Sequence, residues 1–155
     1  MGNPHPSSPG AHADLGELVT RAERLLARRF MPVLAAAGLS TDGWRVMCLL
    51  ADHEGHPMTE VATRTFLPPA SLTKLMDQLV DTNLVYRRVD DLDRRRIRAH
   101  LTPRGHRLHE RLRAELAADL AGLSLPGAEQ QLLAGLLGRL TEALTESVAT
   151  AETVA

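Results

Sequence analysis

Aromatic residues are scarce in this chain: one Trp, one Tyr and two Phe among 155 residues. A core with so few large rings must be filled by Leu, Ala and Val. That favours packed helices over a β-sandwich, because strands draw on aromatic and β-branched residues. Cysteine is reduced to Cys48, which excludes an intramolecular disulfide and fits a reducing compartment. No apolar run approaches the length of a bilayer-spanning helix, and Met1 to Gly10 is polar and Pro-rich rather than signal-like. A cytoplasmic chain with no place in a membrane is expected. Also missing are a glycine-rich phosphate loop, His-Glu-x-x-His and Gly-x-Ser-x-Gly. The expectation is therefore a protein that is not an enzyme and uses no cofactor.

The chain also lacks a strong net charge, at −1, but the mean hides the distribution. Between Arg87 and Arg113 stand ten arginines against four acids (Asp90, Asp91, Asp93 and Glu110), an excess of six. A near-neutral protein with one concentrated basic strip can meet a polyanion through that strip.

The segment from Met1 to His12, with Pro4, Pro6 and Pro9, reads as a disordered leader. From Asp14 the apolar residues Leu15, Leu18, Val19, Ala22, Leu25, Leu26, Val33 and Leu34 recur at helical steps, and Gly38 supplies a left-handed stop. Ser40 can cap a second helix carrying Trp44, Met47, Cys48 and Leu50. A short third helix near Glu60 to Thr65 takes Thr59 as its cap. Pro68-Pro69 opens a fourth, with Leu72, Leu75, Met76, Leu79 and Val80 on its apolar face and Asn83 at its end. The period then drops to two. Ile97, Ala99 and Leu101 alternate with Arg96, Arg98 and His100, a half-exposed strand that pairs with Leu84 to Val89 in a two-stranded hairpin. Thr102-Pro103 opens a fifth helix, and a sixth carries Leu133, Leu136, Leu137, Leu140, Leu144 and Val148.

The expected fold is mainly α with a small β-hairpin. Two short helices followed by an arginine-tipped hairpin suit duplex DNA: a helix reads base edges in the major groove, and a basic loop beside it reaches the minor groove. The exposed side of the fourth helix offers Ser71, Thr73, Lys74, Asp77 and Gln78 for phosphates and base edges. Asp93, Arg94, Arg95 and Arg96 stand at the hairpin turn, where long cations project away from any core.

The stretch from Leu39 to Gly105 resembles the MarR family, the multiple-antibiotic-resistance type of bacterial transcriptional regulator. The matching pieces are Leu39-Ser40 before Trp44-Arg45-Val46-Met47, Thr59-Glu60-Val61-Ala62, Ser71 through Leu79, Asn83-Leu84-Val85, Asp93-Arg94-Arg95, and Leu101-Thr102-Pro103-Arg104-Gly105. The chain departs from the pattern at Asn83, where Gly is usual, at Pro68, which replaces a polar cap, and at Asp91-Leu92 in the wing.

The resemblance implies a winged helix-turn-helix domain over 39–102. Dimerisation helices would span 13–38 and 103–148, between the leader at 1–12 and a flexible tail at 149–155. It implies a homodimer on a palindromic double-stranded DNA operator, most simply as a repressor. One of Arg94 and Arg95 would enter the minor groove while Asp93 buttresses the wing. It also implies a pocket for a small aromatic or phenolic anion, with Arg24, Arg28, Phe30 and Trp44 as candidates.

Two other signals have modest readings. Cys48, between Met47 and Leu49, is expected to pack in the core rather than sense oxidants. His106 and His109, three apart without cysteine partners, suit a basic surface with His100 better than a zinc site, so no metal is expected. The alternatives are a redox- or metal-responsive DNA-binding regulator, and a helical protein-interaction module whose basic strip meets an acidic partner.

Overall fold

A computed structural model describes residues 14–90 and 93–154, with side chains as far as residue 147. The expected leader and the Asp91-Leu92 departure lie outside the described residues. The chain divides into two compact units, Met1–Arg113 and Ala114–Ala155.

In the first unit, α1 (Leu15–Ala36) begins at Asp14, whose carboxylate accepts from the Gly16 N–H at 3.3 Å. It ends at Gly38, where φ is +73° and the Leu39 N–H turns back to the Leu34 carbonyl at 2.9 Å. Helix α2 (Thr41–Leu49) is capped by Ser40, whose Oγ accepts from the Gly43 N–H at 3.0 Å, and it runs into a 3₁₀ turn (Leu50–Asp52). Helix α3 (Met58–Thr65) differs from the expectation. Pro57, not Thr59, holds the cap position, and no side chain caps it. Helix α4 (Pro69–Asp81) has Pro69 in its first turn and closes through Asn83 at φ +55°. Asn thus fills the left-handed position that Gly usually takes.

Strands β2 (Val85–Val89) and β3 (Ile97–Leu101) pair antiparallel, with Val85 opposite Leu101, Arg87 opposite Ala99 and Val89 opposite Ile97. The sheet has three strands, not two. His56–Pro57 forms β1, which pairs antiparallel with the other side of β3 and gives the order β1-β3-β2. Two residues cannot show a period of two, and Pro57 reads locally as a breaker although an edge strand accepts it. The strand pattern of β3 also fails at its outer end. Ala99 and Leu101 are buried, but Ile97 is exposed, as is Val89 opposite it. The hairpin outruns the core there and stands in solvent.

The core of this unit gathers Leu34, Val46, Met47, Leu50, Val61, Leu72, Met76, Leu79, Val85, Ala99, Leu101 and Leu112. Full burial of each Leu or Met contributes roughly 1.5–3 kcal/mol before ordering entropy is charged against it. Helices α2, α3 and α4 followed by the β2–β3 hairpin make a winged helix-turn-helix.

Helix α5 (Pro103–Ala121) leaves the sheet through a tight joint. Thr102 Oγ1 accepts from the Gly105 N–H at 2.9 Å and donates to the Asn83 carbonyl at 2.8 Å. A Cβ on Gly105 would stand 2.1 Å from the Leu84 carbonyl oxygen, a backbone atom that cannot swing away. Gly105→Ala should therefore lower the unfolding free energy by roughly 2 kcal/mol or more. Urea titration checks this, and an unchanged midpoint would contradict the close approach.

The second unit is dominated by α6 (Gly127–Val154), which runs past Val148, the last residue of the apolar spacing. Its leucines are largely bare: Leu132, Leu133, Leu136, Leu137 and Leu144 are exposed. The same holds for Leu15, Leu18, Leu25, Leu26 and Met31 on α1, of which only Leu34 is buried. Leucines repeated at helical spacing and left in water form an exposed apolar surface. Among the described residues no single helix is long and apolar enough to cross a membrane.

Candidate nucleic-acid interface

Helix α4 buries Leu72, Met76 and Leu79 and turns Ser71, Thr73, Lys74, Asp77 and Gln78 to solvent. Two of these five are already engaged. Thr73 Oγ1 donates to the Pro69 carbonyl at 2.9 Å, which leaves its oxygen only an accepting role. Asp77 accepts from Arg87 of β2 at 2.8 Å. A bare carboxylate beside phosphates would repel them, and Arg87 cancels that charge while tying the helix to the sheet. The side chains of Ser71, Lys74 and Gln78 make no hydrogen bond or ion pair among the described residues, so they are free to meet a ligand.

The hairpin tip sorts its arginines. Asp93 closes the turn: its Oδ1 accepts from the Arg95 N–H at 3.0 Å, its carbonyl accepts from the Arg96 N–H at 2.8 Å, and its Oδ2 pairs with Arg96 Nε at 3.2 Å. Arg96 is thus partly neutralised by its own turn, while Arg94 and Arg95 are exposed and make no ion pair among the described residues. Beneath them Asp90 is buried and bound to Arg98. Sequence reasoning missed Arg87, Asp90 and Arg98 as contributors. The signal was present in the register: once Val89 is set opposite Ile97, Asp90 and Arg98 face each other diagonally across the hairpin.

Of the four candidate pocket residues, Trp44 lines a groove. The groove holds about 690 Å³ and is walled by Trp44, Arg45, Cys48 and Leu49 of α2, with Glu23 of α1 and the segment from Arg64 to Leu67. Arg24, Arg28 and Phe30 do not line it. From α1 the residue lining this groove is Glu23, which accepts from Arg45 at 2.6 Å. Arg45 is also held by Asp42 at 2.8 Å, and Arg64 pairs with Glu60 at 3.3 Å. Phe66 stands at φ +56°, with 88% of its surface in solvent at the groove's edge.

Cys48 is a correction, since it lies in the groove wall, exposed, rather than in the core. Apolar surroundings nevertheless push its thiol up to about 11. It carries almost no thiolate at neutral pH, which opposes a role as a peroxide sensor.

The histidines also part from expectation. His53 stacks on His106 at 3.9 Å, Tyr86 on His100 at 5.1 Å, and Trp44 on His109 at 5.0 Å. His100, His106 and His109 are all held below the usual imidazole range. Burial is the main cause, reinforced by Arg88 and Arg98 at His100, by His53 at His106, and by Arg113 and His106 at His109. They are neutral stacking rings at neutral pH, not part of the basic strip. Among the described residues no three His, Cys, Asp or Glu side chains are grouped to hold a metal ion.

A polar helix face beside a wing with two exposed arginines makes the fold that of a winged helix-turn-helix protein. The sequence profile of the MarR family matches residues 37–96. The HTH-type transcriptional regulator FarR of Neisseria gonorrhoeae is 29% identical over 105 residues, covering 68% of this chain and 72% of that one. The structure of NadR in complex with 4-hydroxyphenylacetate is 28% identical, with a TM-score of 0.71 over 89% of this chain and 97% of that one. A MarR family protein of Mycobacterium tuberculosis in complex with p-aminosalicylic acid is 26% identical, with a TM-score of 0.69 over 83% and 99%. The chain is thus similar, over residues 37–96 in sequence and over most of its length in fold, to DNA-binding transcriptional regulators of the MarR family.

Proposed function

We propose that this protein is a cytoplasmic, ligand-responsive repressor that binds a palindromic DNA operator as a homodimer. The observation that carries the reading is the division of charge at the wing. Neighbouring arginines are paired within the protein, while Arg94 and Arg95 are left for a polyanion beside the open polar face of α4. Arginine in a narrow minor groove reads groove width, while Ser71, Lys74 and Gln78 meet major-groove edges and phosphates. The bare leucines of α1 and α6 support a second copy as the partner that covers them. A two-fold protein matches a palindrome.

Regulation follows as a population shift. A ligand that favours one spacing of the two recognition helices changes operator affinity by its differential affinity for the two states. The groove beside Trp44 suits a small aromatic anion, with an aromatic wall and Arg45 and Arg64 as cations that can exchange partners. Arg24, Arg28 and Phe30 would contribute only with a second copy or a movement of α1. The test is an equilibrium titration of the protein against the duplex upstream of its gene, with and without 4-hydroxyphenylacetate or p-aminosalicylate. Specific binding weakened by either compound is expected. Binding indifferent to duplex sequence would overturn the regulator reading, and specific binding that neither compound alters would overturn the aromatic-anion assignment.

A further inference from the structure

The two exposed arginines of the wing project from a turn whose base is linked by the Arg98 guanidinium to the helix-turn-helix. Asp90, 8% exposed, lies at the base of the turn. Its N–H donates to the Arg96 carbonyl across the hairpin at 2.9 Å, and its Oδ1 accepts from the Asp93 N–H at 3.2 Å. Its Oδ2 accepts from Arg98 Nε. Arg98 then reaches away from the wing, its second nitrogen donating to the Gly55 carbonyl at 3.0 Å.

Gly55 belongs to the turn that joins the 3₁₀ segment after α2 to β1 and α3. That turn is rigid. His53 and Gly55 both stand at positive φ, and the His100 ring fills the space beside Gly55, 2.0 Å from where a Cβ would be. The guanidinium therefore spans the wing base at one end and the entrance of the helix-turn-helix at the other, where Gly55 lies 43 residues before Arg98 in sequence.

Asp90 is buried but Arg98 is only half-buried, and an ion pair so placed commonly stabilises no more than apolar packing of the same volume. What such a pair does supply is direction: planar guanidinium donors and two fixed acceptors define an orientation that apolar contacts leave loose. Arg98 also alternates in β3 with the buried Ala99, so its stem is held by the strand.

We propose, resting on the reading of the wing as a DNA contact, that Asp90 and Arg98 are positioning residues. They set the angle at which Arg94 and Arg95 leave the protein relative to α4, and do not themselves touch DNA. A wing with its arginines intact but this link cut would sample orientations in which the minor groove is missed.

The experiment is a double-mutant cycle on operator affinity, read by fluorescence anisotropy with the full chain. The variants are Arg98→Met, Arg94→Ala/Arg95→Ala, and the three changes together. Arg98→Met alone should weaken binding about tenfold and flatten the preference for A·T-rich flanks, while discrimination at central positions stays as in the parent. Added to the Arg94→Ala/Arg95→Ala background, it should cost less than about twofold more, because the groups it positions are gone.

If the two effects multiply in the combined variant, Arg98 acts by direct contact or independent damage, and the inference is overturned. If Arg94→Ala/Arg95→Ala binds as the parent does, the wing reading fails first and takes the inference with it. Arg98→Lys guards against misfolding of the methionine variant: lysine keeps the pair with Asp90 but lacks the fork that spans to Gly55. It too should lose flank discrimination, and parental discrimination in a folded lysine variant would overturn the bridging role.

Discussion

Replacing Arg94 and Arg95 together by alanine is expected to weaken operator binding by about a hundredfold or more while leaving the chain folded. Hydrogen bonds to charged groups contribute about 1.5–3 kcal/mol each, and a symmetric dimer loses them at both half-sites. Among the described residues neither arginine carries an ion pair, and both are exposed, so their loss strands no described buried charge. The salt dependence supplies a second signature. Each phosphate contact removed should lower the steepness of log K against log salt by about 0.9. Flank discrimination should fall wherever the flanks are A·T-rich, because a minor-groove arginine reads groove width rather than base identity. Changing Lys74 and Gln78 instead should cost roughly 1–3 kcal/mol of discrimination per good base contact at central positions, with flank preference kept. Equilibrium titration across operator variants and salt concentrations separates the two. Parental affinity and slope in the wing variant would remove the wing from the interface.

The second large effect is expected on α6. Leu137→Asp together with Leu140→Asp should convert the proposed dimer to monomer and abolish operator binding at concentrations where the parent is saturated. Leu137 is 41% exposed in the single chain and Leu140 is half-buried, so the side chains are available to a second copy. An aspartate in a helical seam brings an unpaired charge whose desolvation outweighs the few kcal/mol each leucine contributes there. The variant chain need not unfold, because these positions lie outside the helix-turn-helix core. Light scattering with circular dichroism reads both properties. A fully folded, stable dimer of the double variant would show that α6 is not the seam.

The elements that could be read from the sequence are those whose ends are fixed by local chemistry. Ser40, Pro69 and Thr102 open helices and Gly38 and Asn83 close them, each through its own hydroxyl, missing N–H or left-handed backbone. What escaped depends on distant partners. Strand β1 exists only because β3 offers it an edge, and Thr59 yields its cap position because Pro57 is already held in that strand. Ile97 keeps the alternation of a strand yet lies beyond the reach of the core. Cys48 shows how neighbours mislead on a helix: Met47 is fully buried, but successive residues point about 100° apart, so Cys48 shares the groove side with Trp44 four residues earlier.

The same distinction governs the site. The polar face of α4 and the location of the wing follow from periodicity, and all five α4 residues face solvent. The arginine run looked uniform, and only the hairpin register separates Arg96 and Arg98, bound to Asp93 and Asp90, from Arg94 and Arg95. The pocket was least legible. Its residues come from three segments, and the choice between Glu23 and Arg24 turns on the rotation of α1 against α2.

The most direct measurement is the affinity of the unaltered protein for the duplex upstream of its gene, against a scrambled duplex of equal length and composition, over a range of salt. The account predicts two protomers per site and a preference for the native duplex of about a thousandfold or more. The slope of log K against log salt should correspond to several phosphate contacts. Equal affinity for both duplexes, or no binding to either at low salt, would contradict it.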